Sequence, residues 1–330
     1  MLLALLLACT NDNDKLMDPQ AEAVLAVKDL VQTDLGGMHD ASETLCASSP
    51  TSASWGATEA APARTAWKQV RISYERVEGA IAVLFPDLDA ATDERYDGFL
   101  GEGPDDYLFD DEGVIGVHGI ERILWADAHP AEVVEFEQGL PGYVPAAFPA
   151  SQQESDDFRN RLCARLTTDT ATMESEFAPL ALDGAAAFRG VIGSMMEQIE
   201  KVNLAYSGED ESRYAQHTLA DMRANLDGGR DIYGAFIPWL ESVEGGAEVH
   251  AEIEAGFDRI EAAYAPLDGD GIPTVPATWN PDAPSETDLA SDYGKLWLLL
   301  STETDPEEAG TLVERMVAAA DLLGIPQLAE

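Results

Sequence analysis

Apolar residues return along this chain at helical spacing and almost nowhere at the spacing of a strand. Val24, Val27, Leu30 and Val31 fall on one stripe over residues 21–35, which predicts a helix that stops at Gly36-Gly37. The Ser/Thr/Ala/Pro-rich stretch 41–63 reads as loop broken by weak helix. A long helix is predicted over 64–85, with Trp67, Val70, Tyr74, Val77 and Ile81 on one face and Pro86 at its end. The acidic, glycine-containing segment 87–112 reads as a short helix plus loop. It delivers the chain to an almost wholly apolar helix over 113–125.

Further helices are expected at 131–138 and at 151–177, the latter carrying Phe158, Leu162, Leu166 and Met173, with a three-proline surface loop at 139–149 between them. The second half continues with helices at 184–206, 212–242, 247–265, 285–301 and 306–323. No period-2 run is bounded by hairpin turns. The chain therefore reads as all-α, most simply two packed helical bundles over residues 21–180 and 184–325.

Charge changes this picture. The chain has 62 Asp and Glu against 19 Lys and Arg, a formal net charge of −43. Such a field repels nucleic acid and anionic membrane surfaces and favours cationic partners. Spread along the whole chain, it also serves solubility. The first nine residues are an apolar run ending Leu6-Leu-Ala-Cys9, followed by polar Thr10-Asn-Asp-Asn-Asp. This resembles a bacterial lipoprotein signal with its lipobox, which makes Cys9 the expected lipidated residue, residues 10–20 a tether, and the cell envelope the expected location. The remaining cysteines, Cys46 and Cys163, are then either one disulfide in an oxidising compartment or two buried thiols.

Candidate chemistry gathers in three places. In the central helix, His118 and Glu121 are three apart and share a face, which suits a borderline metal such as Fe or Zn or equally a buried hydrogen-bonded pair. In Arg71-Ile-Ser-Tyr74-Glu75-Arg-Val-Glu78, two carboxylates on adjacent turns repel each other unless a cation or proton lies between them, and Arg71 and Arg76 offer an ordinary alternative. Between 207 and 225, Arg213 and Tyr214 precede His217, Asp221 and Asn225 at i, i+4 and i+8, a polar stripe that could also be a solvent face. Upstream, Glu197 and Glu200 form another carboxylate pair. His39, His129 and His250 read as surface groups, and Asp268-Gly-Asp-Gly as a turn lacking the full calcium-loop spacing. The common hydrolase and nucleotide-binding motifs are missing from the sequence.

Gly116-Val-His118-Gly-Ile-Glu121 matches the Gly-x-His-x-x-Glu signature of the imelysin-like family, which includes envelope iron-uptake components of the EfeO and EfeM type. Ala66-Trp67 and Tyr74-Glu-Arg-Val-Glu78 upstream, and Arg213-Tyr-Ala-Gln-His217 through Ala224-Asn225-Leu-Asp-Gly228 downstream, stand in family-like order. The resemblance implies two helical bundles with a site at or near their interface and the handling of iron, with Zn, Cu or Ca as other candidates. It carries His118 and Glu121 over as signature ligands, Glu75 and Glu78 as a carboxylate metal site with Asp93 and Glu200 as partners, and Tyr74, Arg71, Arg213, His217, Asp221 and Asn225 as residues lining it. It also implies a membrane permease and a haem-peroxidase-like protein as uptake partners. The segments 96–111 and 137–151 look like extra material between family motifs. Two other readings stay open: a metallopeptidase, for which the sequence shows no water-activating base beside a complete ligand set, and a non-catalytic glycan-binding surface protein.

Overall fold

A computed structural model describes residues 18–182 and 184–326. Cys9, the signal-like run and most of the expected tether lie outside the described residues. Among the described residues every regular element is a helix, and none is long and apolar enough to cross a membrane. The first group comprises α1 (Pro19–Ser48), α2 (Ala57–Glu75), α3 (Glu78–Leu84), α4 (Pro86–Asp93), α5 (Tyr96–Glu102), α6 (Gly116–Leu124), α7 (Ala131–Gln138), α8 (Gln152–Asp157) and α9 (Cys163–Phe177). The second comprises α10 (Gly184–Leu204), α11 (Thr218–Gly234), α12 (Ile237–Glu241), α13 (Gly246–Tyr264), α14 (Glu286–Leu289), α15 (Asp292–Glu303) and α16 (Leu312–Leu322). One continuous apolar core runs through both groups, from Val27, Trp67 and Leu166 to Phe188, Tyr233, Phe257 and Met316.

The first helix does not stop at Gly36-Gly37. Its buried stripe of Val27, Val31, Leu35, Met38, Ser42 and Leu45 keeps its period straight through the glycines, which sit off the stripe. Burial of that stripe against α2 and α9 outweighs a glycine penalty of about 1 kcal/mol each. The residues expected to be loop at 41–48 are therefore helix. A disulfide joins Cys46 in the last turn of α1 to Cys163 at the start of α9 across 117 residues of sequence. Reduction is expected to lower the unfolding free energy by about 2–4 kcal/mol, read as a drop in thermal midpoint with and without reductant; an unchanged midpoint would show the bond to be energetically idle.

The helix predicted over 64–85 is two helices. It breaks at Arg76 and Val77, where α11 packs so closely that a Cβ on Gly228 would stand 2.3 Å from the Arg76 carbonyl oxygen. Arg76 leaves the axis to pair with Asp34 and Asp231. Glu75 and Glu78 are thus on either side of a bend, not on successive turns. Pro86 ends α3 and also opens α4 at a position where its missing N–H costs nothing. The helix at 151–177 is interrupted by a π-helical segment, Phe158–Leu162. Three other expected helices start late or split: the segment before Thr218 is a run of turns, Ser291 caps a separate α15, and α16 starts only after the Thr311 cap.

Candidate metal centre

Four elements converge beside the bend. α2 supplies Arg71, Tyr74 and Glu75, α3 supplies Glu78, α4 supplies Asp89 and Asp93, and α6 supplies His118 and Glu121. From the second group α10 adds Glu197 and Lys201, α11 adds Asp221 and Asn225, and the turns before α11 add Glu211.

α6 is held by main-chain contacts. The Trp67 indole N–H donates to the Val117 carbonyl at 2.8 Å. Gly116 has φ +70°, and a Cβ there would stand 2.4 Å from the Thr92 carbonyl oxygen. Only glycine meets both demands, and the result is that the end of α4 lies against the start of α6. Asp93 Oδ1 is accordingly 3.3 Å from His118 Nε2.

His118 is buried and polarised from behind. Its Nδ1 bonds Glu121 Oε2 at 2.8 Å, so with the hydrogen on Nδ1 the Nε2 carries the lone pair. That Nε2 is buried and makes no hydrogen bond. Burial lowers the imidazole pKa, against the opposing pull of Glu121, and keeps the ring neutral at pH 7. Glu121 is fully committed: its Oε1 accepts the Tyr214 and Ala215 N–H groups at 2.9 and 2.7 Å. It orients the histidine and anchors the turn before α11, the arrangement seen behind histidine ligands of metals.

The carboxylates cluster around two buried cations. Arg71 Nη1 pairs with Asp93, and Nη2 with Glu75, with Glu211 at 3.3 Å and with Asp221 at 3.4 Å. Lys201 Nζ lies 2.9 Å from Glu75, 3.1 Å from Glu78 and 3.0 Å from Glu211. Asn225 donates to Glu78, and the Tyr74 hydroxyl donates to Asp89 at 2.6 Å. Acid still exceeds base. Burial pushes Glu75 and Glu197 up to about 7 and Asp89, Asp93 and Asp221 up to about 6, and Glu78 is raised well above the carboxylate range by burial and by Glu75. Glu211 alone goes the other way: against the upward push of burial, Lys201, Arg71 and His118 pull it down to about 2.

Oxygen atoms of Glu78, Asp93 and Glu211 lie within 4.8 Å of one another, as do those of Glu75, Glu211 and Asp221. Ligands about 2.1 Å from a common centre span roughly 4 Å, so the Glu78, Asp93 and Glu211 trio is a small side-chain movement from holding a hard cation, whereas the other trio is already centred on Arg71 Nη2. A cleft of 180 Å³ is lined by Asp93, Glu197, Lys201 and Glu211, and a neighbouring one of 220 Å³, sharing Asp93 and Glu197, by Tyr74, Glu78 and Asp89.

Glu75, Glu78, Asp93, His118 and Glu121 are thus brought together, with Arg71, Tyr74, Asp221 and Asn225 around them. Glu200 is exposed at the cleft rim, and its neighbour Glu197 is the half-buried one that faces the cluster. Arg213 turns away to Asp97 at 2.8 Å and to the Asp210 carbonyl, anchoring the turn. His217 is the N-cap of α11, buried against Trp67, and neither ring nitrogen makes a hydrogen bond. The stripe 217–225 is buried, not a solvent face. Sequence reasoning missed Lys201, Glu211 and Asp89. Glu211 lies within the 207–225 segment, and Lys201 is one of only five lysines in the chain. The three histidines read as surface groups are part-buried, His39 on Thr170, His129 stacked on Tyr214 and His250 on the Tyr233 hydroxyl.

The sequence pattern of the imelysin family matches residues 24–296, a span that contains every one of these groups. The chain belongs to the imelysin family. Among its relatives, the "Iron uptake system component EfeO" of Yersinia pseudotuberculosis serotype I (strain IP32953) is 27% identical over 209 residues, which cover 63% of this chain and 46% of that protein. The protein of the same name from Escherichia coli (strain K12) is 25% identical over 210 residues, with 63% and 46% covered. The match spans slightly less than half the length of these relatives.

Proposed function

We propose that this chain captures a metal cation, iron foremost, as a component of an uptake system in the cell envelope, and hands it to a membrane permease. A lipid anchor at Cys9 and a haem-peroxidase-like partner would suit that role. The observation that carries the reading is the convergence of the Glu78, Asp93 and Glu211 carboxylates, with the buried, unbonded Nε2 of His118 3.3 Å from Asp93 at its edge. Carboxylate oxygen suits hard ferric iron, and one imidazole nitrogen adds affinity for ferrous iron or zinc. The metal here is cargo, and the chain's task is to hold and release it.

A peptidase reading would require a carboxylate free to activate water. Glu121, the natural candidate, spends both oxygens on His118 and on two backbone N–H groups, which favours capture over hydrolysis. Calorimetric titration with Fe, Zn, Cu and Ca tests the proposal. Asp93→Asn is expected to weaken binding of the preferred metal by about 100-fold or more, and His118→Ala by about 10-fold or more, with folding kept in circular dichroism. Millimolar or weaker binding of all four ions by the unaltered chain would refute it.

A further inference from the structure

We propose that Lys201 is a tethered counter-cation that must leave the carboxylate cluster before a metal ion enters, and so sets the affinity threshold of the site. The inference rests on the metal-binding reading above. Its basis is placement. The ammonium lies 2.9–3.1 Å from oxygens of Glu75, Glu78 and Glu211, and the last two belong to the Glu78, Asp93 and Glu211 trio that could hold a metal. A metal drawing the same oxygens in to about 2.0–2.6 Å and an ammonium cannot share that centre.

Arg71 and Lys201 differ in whether they can move. The guanidinium of Arg71 is wholly buried and gripped by Glu75, Asp93, Glu211 and Asp221 from α2, α4, the turns before α11, and α11. Lys201 is a compact charge on a flexible stem, and it lines the 180 Å³ cleft together with Glu197 and Glu200. Glu197 stands one turn earlier on α10, the spacing at which a glutamate receives a lysine. An outward swing therefore exchanges one set of carboxylates for another without leaving the ammonium unpaired. Displacing it opposes every incoming cation alike. The ratio between two metals of equal charge is unchanged, but weak binders fall below the threshold, and the returning ammonium helps to expel the metal on release.

Two measurements on the full chain test this. Lys201→Met is expected to tighten both Zn2+ and anaerobic Fe2+ binding by about 10-fold or more, by similar factors for the two ions. Amine acetylation read by mass spectrometry is expected to leave Lys201 unmodified without metal and modified once Zn2+ or Fe2+ is added, with Lys28, Lys68 and Lys295 as internal references. If the unaltered chain binds metal but Lys201 stays unreactive, or a folded Lys201→Met variant binds no more tightly, the counter-cation role is overturned while the capture reading stands. Should the variant not fold, acetylation of the unaltered chain decides alone. Failure of the unaltered chain to bind either ion overturns both readings.

Discussion

Arg71→Met is expected to lower the unfolding free energy by about 3–5 kcal/mol, the loss typical when one partner of a buried charge network is removed. The guanidinium lies against four carboxylates, two of them fully buried, and it has no route to solvent. Without it, Glu75, Asp93, Glu211 and Asp221 face one another, and Lys201 is left as the buried cation paired with Glu75 and Glu211. The loss should be largest near pH 7.5 and shrink toward pH 5, because the stranded acids can then take up protons. Chemical denaturation at both pH values measures this. A loss under 1 kcal/mol at pH 7.5 would mean that the cluster is solvated enough to do without the arginine. A loss independent of pH would point to the missing packing of the side chain instead of its charge.

Cation affinity is expected to rise between pH 5.5 and 7.5, by about 4-fold for a displaced proton held near 6 and about 25-fold for one held near 7. The source is the set of buried acids held near 6 to 7, Asp93 in the open trio and Glu75 beside it, which give up protons as the metal enters. Their effect on the metal-free protein has the opposite sign. A carboxyl group raised on folding keeps its proton in the native state at a pH where the unfolded chain has lost it. Unfolding then releases protons, and stability falls as pH rises from about 4.5 to about 7. Glu211, depressed to about 2, adds stability above its ordinary value of 4.5 that is lost as pH falls through that interval. Competition titrations at pH 5.5, 6.5 and 7.5, with thermal midpoints of the metal-free chain alongside, test both signs. A flat affinity profile would mean that the ligand set excludes the raised acids.

The helical class was legible because its signal is local: stripes such as Trp67, Val70 and Tyr74 declare their period within a single segment. The motif around His118 was legible for a related reason, since glycine, histidine and glutamate stand together in six residues. What stayed hidden depends on neighbours distant in sequence. The bend at Val77 comes from the approach of Gly228 on α11, and nothing between 64 and 85 announces it. Whether Glu197 or Glu200 turns inward depends on which face of α10 meets α3, a matter of packing and not of spacing. Lys201 reads as an ordinary charged residue until Glu75 and Glu78, more than 120 positions earlier, are brought to it. The twin glycines of α1 misled for the converse reason: a local stop signal was overridden by a stripe that continued beyond it.

The close fit of Gly116 on the end of α4 has an architectural consequence. The chain leaves that contact after Asp93 and returns to it at residue 116, and the intervening excursion has a small apolar centre of Tyr96, Leu100 and Val114 while lending Phe109 and Ile115 to the main core. The spacing of Asp93 and His118 is therefore set by main chain meeting main chain where the excursion closes, as a clasp sets the size of a ring whatever hangs from it. Asp97 ties the excursion to Arg213, and Phe109 and Ile115 tie it to the main core, so a reporter group is best spliced in at Gly101–Gly103, where an added Cβ on either glycine meets nothing.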